Sequence, residues 1–420
     1  MEAVTGAEAR RSRFLLLVAI MLGTIGWGGL ALLAATMLGQ HPPHAGFDLD
    51  LLFRAGRRVA AGLSPYDRSQ TSGSLQAEDL FYSYPPPVAQ AMAVLAPLPL
   101  SVVLAGWVTA ATAAIALVAA ALARRVGRPG TGTRTAIAVV AVLPFVYPYA
   151  VAALFGNLDL WLPAAYGLVA LAVLAPPRET ARGSALAVAG GVALGLVAVA
   201  KLQPALVILW CLVRGGTTWH RGEPVPQPGR IAAAAIATVG VAVASSLVLA
   251  GTGPWHDYLG VLRAGSGARL ASSLNIGPGS QLALLAHDPS LAAPLATWTG
   301  LLATLTAAIV AWRLRDSVLS LAVAVTMSLV LLPVTWFHYP IALLPFAIVA
   351  VARASAPRDL RRVAAFLAGA AAIAAVAIVD PVLSWLAVGF VVVAVAVARS
   401  TPGRDVDRSR VQTAAPGSRP

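Results

Sequence analysis

A few residues able to do acid–base or ionic chemistry stand apart from an otherwise apolar chain. Phe47-Asp48-Leu49-Asp50 puts a carboxylate where an amphipathic segment begins. Two readings of Asp48 stay open, a helix cap held by the positive helix end and a proton acceptor. Asp48-x-Asp50 also has the form of a divalent-metal pair, but no third oxygen ligand is identifiable, so no metal is expected. Lys201 is the only lysine and sits in apolar surroundings, followed by Leu202-Gln203-Pro204. An ammonium at membrane depth is costly, so it either meets an anion such as phosphate or snorkels to the interface. His338, in Thr335-Trp336-Phe337-His338-Tyr339-Pro340, reads as a structural imidazole or a site residue. Tyr66, after Gly62 and Pro65, and Tyr84, before Pro85-Pro86-Pro87, stand beside turn-forming residues and suit a headgroup or sugar face, or an aromatic belt. Asn157, Asp159, His256, Asn275 and Gln281 complete the polar set.

The elements that must carry these groups are set by composition. Hydrophobic residues make up 58% of 420 and charged ones 11%, which excludes an ordinary soluble domain. The formal charge of +13 does not point to nucleic acid, because the arginines fall between apolar segments rather than along one polar face. The single cysteine, Cys211, can form no internal disulfide and reads as packing.

Apolar spans are predicted at residues 14–38, 101–123, 135–153, 158–175, 184–200, 202–213, 231–251, 291–312, 317–334, 339–352, 363–379 and 382–398, twelve in all. Two, 202–213 and 339–352, are short for a spanning helix and need flanking residues to extend them. The Arg10-Arg11 pair is faintly similar to a twin-arginine signal, but the 25 apolar residues after it exceed a signal-peptide core, so a retained span is expected. With both termini in the cytoplasm, the internal segments hold 23 arginines and the external ones 6, in accord with the positive-inside rule. This requires the apolar stretch 86–100 to be interfacial or re-entrant. The expected organisation is a cytoplasmic tail over 1–13, a membrane domain over 14–398 and a disordered cytoplasmic tail over 399–420. A Pro/Gly-rich cytoplasmic turn is expected from Gly215 to Gly229.

Two long external loops, about 39–100 and 252–290, hold enough apolar and aromatic residues to pack. In the first, Leu49, Leu52, Phe53, Val59 and Ala60 fall on one helical face and Arg54, Arg57 and Arg58 on another. This predicts an interfacial helix whose arginines anchor to anionic headgroups or guide a lipid phosphate.

These motifs together resemble family 87 of the glycosyltransferases. An Asp fourteen residues ahead of Gly62-Leu63-Ser64-Pro65-Tyr66 precedes the aromatic Phe81-Tyr82-Ser83-Tyr84-Pro85-Pro86 segment. Gly156-Asn157-Leu158-Asp159, Lys201-Leu202-Gln203-Pro204, the amide-rich Asn275-Ile276-Gly277-Pro278-Gly279-Ser280-Gln281 and Trp336-Phe337-His338 follow in order, so the resemblance spans most of 40–345. It implies an all-α GT-C-type bundle of about twelve transmembrane helices with interfacial helices in the first external loop. It further implies a polyprenyl-phosphate-mannose donor, a mannosylated lipid or lipoglycan acceptor, an extracytoplasmic site in the plasma membrane, and an inverting α-1,2 transfer without cofactor, similar to actinobacterial phosphatidylinositol mannoside and lipomannan synthesis. Under it Asp48 is the catalytic base, while Lys201, His338, Arg57 and Arg58 hold the donor phosphate. Tyr66, Tyr84, Asn157, Asp159, His256, Asn275 and Gln281 then contact substrate. From another class, a transporter or flippase of lipid-linked sugars also fits twelve helices, although the polar groups gather in loops on one side rather than at the midplane.

Overall fold

The computed structural model describes residues 2–40, 45–67, 70, 81–127, 131–175, 181–220, 227–265, 270–354, 357–377 and 379–398. The expected tail after Arg399 and the middle of the first external loop, 71–80, lie outside them. Among the described residues the regular structure is entirely helical. Its α-helices are α1 (Glu2–Leu38), α2 (Phe47–Ala60), α3 (Pro86–Ala93), α4 (Leu100–Val126), α5 (Thr131–Val142), α6 (Tyr147–Phe155), α7 (Leu162–Val173), α8 (Ala181–Ala200) and α9 (Pro204–His220). They continue with α10 (Gln227–Ala250), α11 (Gly253–Gly265), α12 (Pro278–Leu285), α13 (Ala292–Arg313), α14 (Ser317–Val330), α15 (Leu344–Arg353), α16 (Pro357–Val376) and α17 (Ser384–Val397). Short 3₁₀ turns at Leu143–Phe145, Leu158–Trp161 and Tyr339–Leu343 lead into α6, α7 and α15.

Each of the twelve apolar segments is helical over most of its length, but among the described residues five helices have both the length and the hydropathy to cross a bilayer on their own: Phe14–Leu38, Leu100–Val126, Gly183–Ala200, Gln227–Ala250 and Pro289–Arg313. A sixth is the pair Thr131–Phe145 and Tyr147–Phe155, bent by 75°. Proline explains that bend and the shortness of other elements. Pro144 and Pro148 deprive the chain of two backbone donors around Val146, and Pro163, Pro204, Pro340 and Pro345 do the same at or near the starts of α7, α9 and α15. The chain is thus a multi-pass membrane protein with several broken or short apolar helices. α9 runs through Gly215 to His220, further than the turn expected there, because the apolar segment continues as helix beyond its hydrophobic run.

Residues 86–100 do not form a span. Pro86–Ala93 is an eight-residue helix packed on α2, and Gly56 lets the two approach: a Cβ there would lie 2.7 Å from the Met92 backbone. On α2 the buried face is Leu49, Leu52, Phe53, Ala55 and Gly56, whereas Ala60, expected on that face, is exposed because the last turn has run past α3.

Small residues set the tightest helix pairing. Gly191 and Gly195 on α8 face α10, where an added Cβ would come within 2.5 Å of the Ile231 carbonyl and 2.7 Å of the Ala235 carbonyl. Lipid tails are as apolar as leucine, so close van der Waals approach through a small-xxx-small pair replaces the hydrophobic effect as the driving force. Deeper in the bundle Trp210 is fully buried and its Nε1 donates to Ser320 Oγ at 2.9 Å; Cys211 beside it is fully buried, a packing residue. Arg214, 5% exposed, donates to the carbonyls of Ala311, Leu314 and Arg315 and to Ser317 Oγ, closing the α13–α14 turn onto α9. Overpacking of the α8–α10 contact by Gly191→Val should lower stability by about 3 kcal/mol, read as a fall in the thermal midpoint of the detergent-solubilised protein. Gly240→Val on the same pair of helices, where a Cβ meets nothing within 4 Å, should leave that midpoint in place.

Candidate active site

The first polar side chain to be positioned is Asp48. Gly46 takes a left-handed conformation, φ 71°, and its N–H donates to the Leu154 carbonyl at 2.6 Å, so the loop is pinned to the end of α6 before α2 starts. Asp48 then falls in the first turn of α2, and its side chain does not cap the helix. It accepts instead from Asn157 Nδ2 at 2.6 Å. Asn157 follows Gly156, also left-handed at φ 66°, where a Cβ would lie 2.6 Å from the Leu49 Cβ. Only glycine lets the turn after α6 press against α2 this closely. Asn157 is itself aligned by accepting from the Asp159 N–H at 2.8 Å.

Two residues on, Asp159 is fully buried and binds two basic side chains. Its Oδ1 lies 2.7 Å from Lys201 Nζ, and its Oδ2 lies 3.4 Å from His338 Nε2. Lys201 stands just past the end of α8, where Pro204 forces a new helix to begin, and its ammonium rests 4.0 Å from the centre of the Tyr339 ring. That ring also meets the His338 imidazole edge-on at 4.9 Å. The Tyr84 hydroxyl shares this neighbourhood; burial pushes its pKa up, with Lys201 opposing and Asp48, Tyr339 and Asp159 adding to the rise. Asp48 behaves in the same sense. Burial raises its carboxyl above the ordinary range, while His338, the Asn157 hydrogen bond and Lys201 each pull it back down.

Asp48, Tyr84, Asn157, Asp159, Lys201 and His338 thus come together from five separate stretches of chain, with Tyr339 as a further member that the sequence reading passed over. Its one signal was its place beside His338. Gln203, named above only as part of the Lys201 motif, is fully buried next to this break, and its amide has no hydrogen-bond partner among the described residues.

The remaining expected site residues lie outside this cluster. Arg58 donates to the carbonyls of Ser64 and Tyr66 and lies 3.5 Å from Asp67, so it staples the Gly62–Asp67 turn to α2. Arg57 is exposed and lies over the Phe53 ring at 4.4 Å. Tyr66 donates from its hydroxyl to the Tyr84 carbonyl at 2.7 Å and stacks on Tyr258, which joins the two long loops; Ser64 Oγ and Asp257 reinforce that junction at 2.5 Å. His256 is exposed on α11. Asn275 is fully buried and braces the backbone: its Oδ1 accepts from Gly277 and Thr335 N–H, and its Nδ2 donates to the Pro333 carbonyl. Gln281 donates to the Asn275 carbonyl at 2.5 Å. The amide-rich segment therefore holds the 333–335 strand of backbone that presents His338.

The sequence profile of glycosyltransferase family 87 matches residues 82–336, more than half of the chain. The chain belongs to glycosyltransferase family 87. It is therefore a membrane glycosyltransferase. No curated protein and no solved structure gives a significant match. The family 87 match contains Tyr84, Asn157, Asp159, Lys201, His256, Asn275 and Gln281, while Asp48 lies ahead of it and His338 two residues beyond. Those last two are joined to the matched segment by the contacts to Asn157 and Asp159. Because the Lys201 ammonium is nearly buried, at 11% exposure, and depends on one carboxylate, Asp159→Ala should destabilise the protein by about 3–5 kcal/mol. The combined change Asp159→Ala with Lys201→Met should recover much of that loss in the same thermal melt, since no charge is then left alone.

Proposed function

We propose that this glycosyltransferase moves mannose from a polyprenyl-phosphate-mannose donor to a mannosylated lipid or lipoglycan acceptor at the extracytoplasmic face of the plasma membrane. The observation that carries the reading is the division of labour between the two carboxylates. Asp159 is fully buried and committed to Lys201 and His338. Asp48 is half-buried, commits Oδ2 to Asn157 and has no hydrogen bond to Oδ1 among the described residues. One acid is thus a counter-ion and the other is able to receive a proton.

In the proposed reaction an acceptor hydroxyl attacks the anomeric carbon of mannose as the bond to the polyprenyl phosphate breaks. The hydroxyl proton passes to Asp48, whose carboxyl is raised by burial and so accepts a proton more readily than an ordinary carboxylate. Negative charge grows on the departing phosphate, where Lys201 and His338 offer preorganised positive or donor groups in surroundings of low dielectric. A single displacement inverts a β-linked donor into an α-mannoside. The α-1,2 linkage and a phosphatidylinositol mannoside or lipomannan acceptor rest on the motif resemblance. The full count of twelve spans with both termini in the cytoplasm rests on the apolar segments and the arginine distribution.

The direct test gives membranes containing the protein radiolabelled polyprenyl-phosphate-mannose with candidate glycolipids and digests the products with linkage-specific mannosidases; absence of any mannosylated product rejects the assignment. Asp48→Asn should lower kcat by about 10²–10⁴-fold with little change in donor KM. The pH profile offers a second check. Asp48 must be ionised to act, so kcat/KM should fall as pH drops through its raised pKa, and Asn157→Leu, which removes an interaction favouring the ionised form, should move that acid limb to higher pH.

A further inference from the structure

α4, α5, α15 and α16 line a groove of about 710 Å³ to which no residue of the polar cluster contributes. Its walls are apolar, with Val126, Ala138, Val142, Ala347, Ile348 and Leu360 among them. The two threonines on its lining spend their hydroxyls on backbone carbonyls, Thr131 on Ala123 and Thr135 on Thr131. The groove therefore asks for hydrocarbon. It runs the length of α5, from Thr131 to Val146 in the turn beyond, or about 22 Å at 1.5 Å per residue. That is the scale of one extended acyl chain.

The two ends differ. One lies at Val146 and Leu344, five residues beyond Tyr339 of the polar cluster. The other is formed by Val126, Thr131, Ala354 and Pro357, and arginines stand close to these residues along the α4–α5 and α15–α16 turns. Arg124 and Arg134 on one wall and Arg358, Arg361 and Arg362 on the other are all exposed, and the Arg124 side chain lies over Gly132, next to the lining Thr131. Two further arginines nearby are already occupied, Arg125 by the Leu174 carbonyl and Arg353 by Asp316. Across this mouth the one acidic residue on the first turn of α16 is Asp359.

We infer that this groove is a seat for an anionic phospholipid, its acyl chain lying between α5 and α15 and its phosphate held by the arginines of the α4–α5 and α15–α16 turns. The bulk bilayer already covers apolar helix faces, so it is the charge at one end that selects the occupant. Each arginine near such a headgroup favours it by about fivefold.

The full-length protein in phosphatidylcholine nanodiscs, doped with phosphatidylglycerol carrying a photoreactive acyl chain, tests this by mapping cross-linked peptides. Labelling is expected on α5 and α15, competed by unlabelled phosphatidylglycerol and at least tenfold less well by phosphatidylcholine. The triple change R358Q/R361Q/R362Q should remove that preference, and Ala138→Trp, which fills the groove from the opposite wall, should remove the labelling itself. Equal competition by phosphatidylcholine, or a preference unchanged in the triple variant, overturns the proposal. Displacement by polyprenyl phosphate at equimolar amounts also overturns it, and assigns the groove to the donor chain instead.

Discussion

The buried carboxylate of Asp159 is the interaction on which the rest of the site depends. A lysine ammonium held at 11% exposure in an apolar bundle is stable only beside an anion, and Asp159 supplies it at 2.7 Å. The same carboxylate reaches His338, so one fully buried group ties the α8–α9 break to the segment ahead of α15. Asn157, two residues earlier on the same turn, reaches Asp48. A four-residue turn therefore couples the base proposed for the reaction to the groups proposed to meet the phosphate.

Such coupling requires backbones to come unusually close, and the chain achieves it with glycine and proline. Gly46 and Gly156 adopt positive φ where the loop ahead of α2 meets the end of α6. Proline at the starts of α7, α9 and α15 ends preceding helices inside the apolar layer and frees irregular backbone next to the polar cluster. Non-helical backbone at membrane depth is tolerated only where protein or a cavity satisfies it. Here Asn275 provides that satisfaction for the 333–335 segment, which explains why an amide-rich loop remote from Lys201 still bears on the position of His338.

The arginines divide by the same logic. Those with internal partners do structural work: Arg58 in its turn, Arg214 across three helices, Arg353 on Asp316. Among the described residues, Arg124, Arg134, Arg358, Arg361 and Arg362 are exposed on the α4–α5 and α15–α16 turns, where headgroup charge is an available counterpart.

Sequence alone determined the class of protein, the helical nature of the apolar segments and the identities of Asp48, Asn157, Asp159, Lys201 and His338 as groups of interest. It could do so because runs of apolar residues and isolated charges within them are legible without contacts. It did not determine that Asp48 leaves its helix end uncapped, that Asp159 faces Lys201 and His338, that Arg57 stays exposed over Phe53, or that Arg58 and Asn275 brace backbone. Nor did it show how few helices are long enough to cross a bilayer unaided. Those outcomes depend on partners 42 to 179 residues apart along the chain, and only close packing of broken helices decides which distant side chains meet.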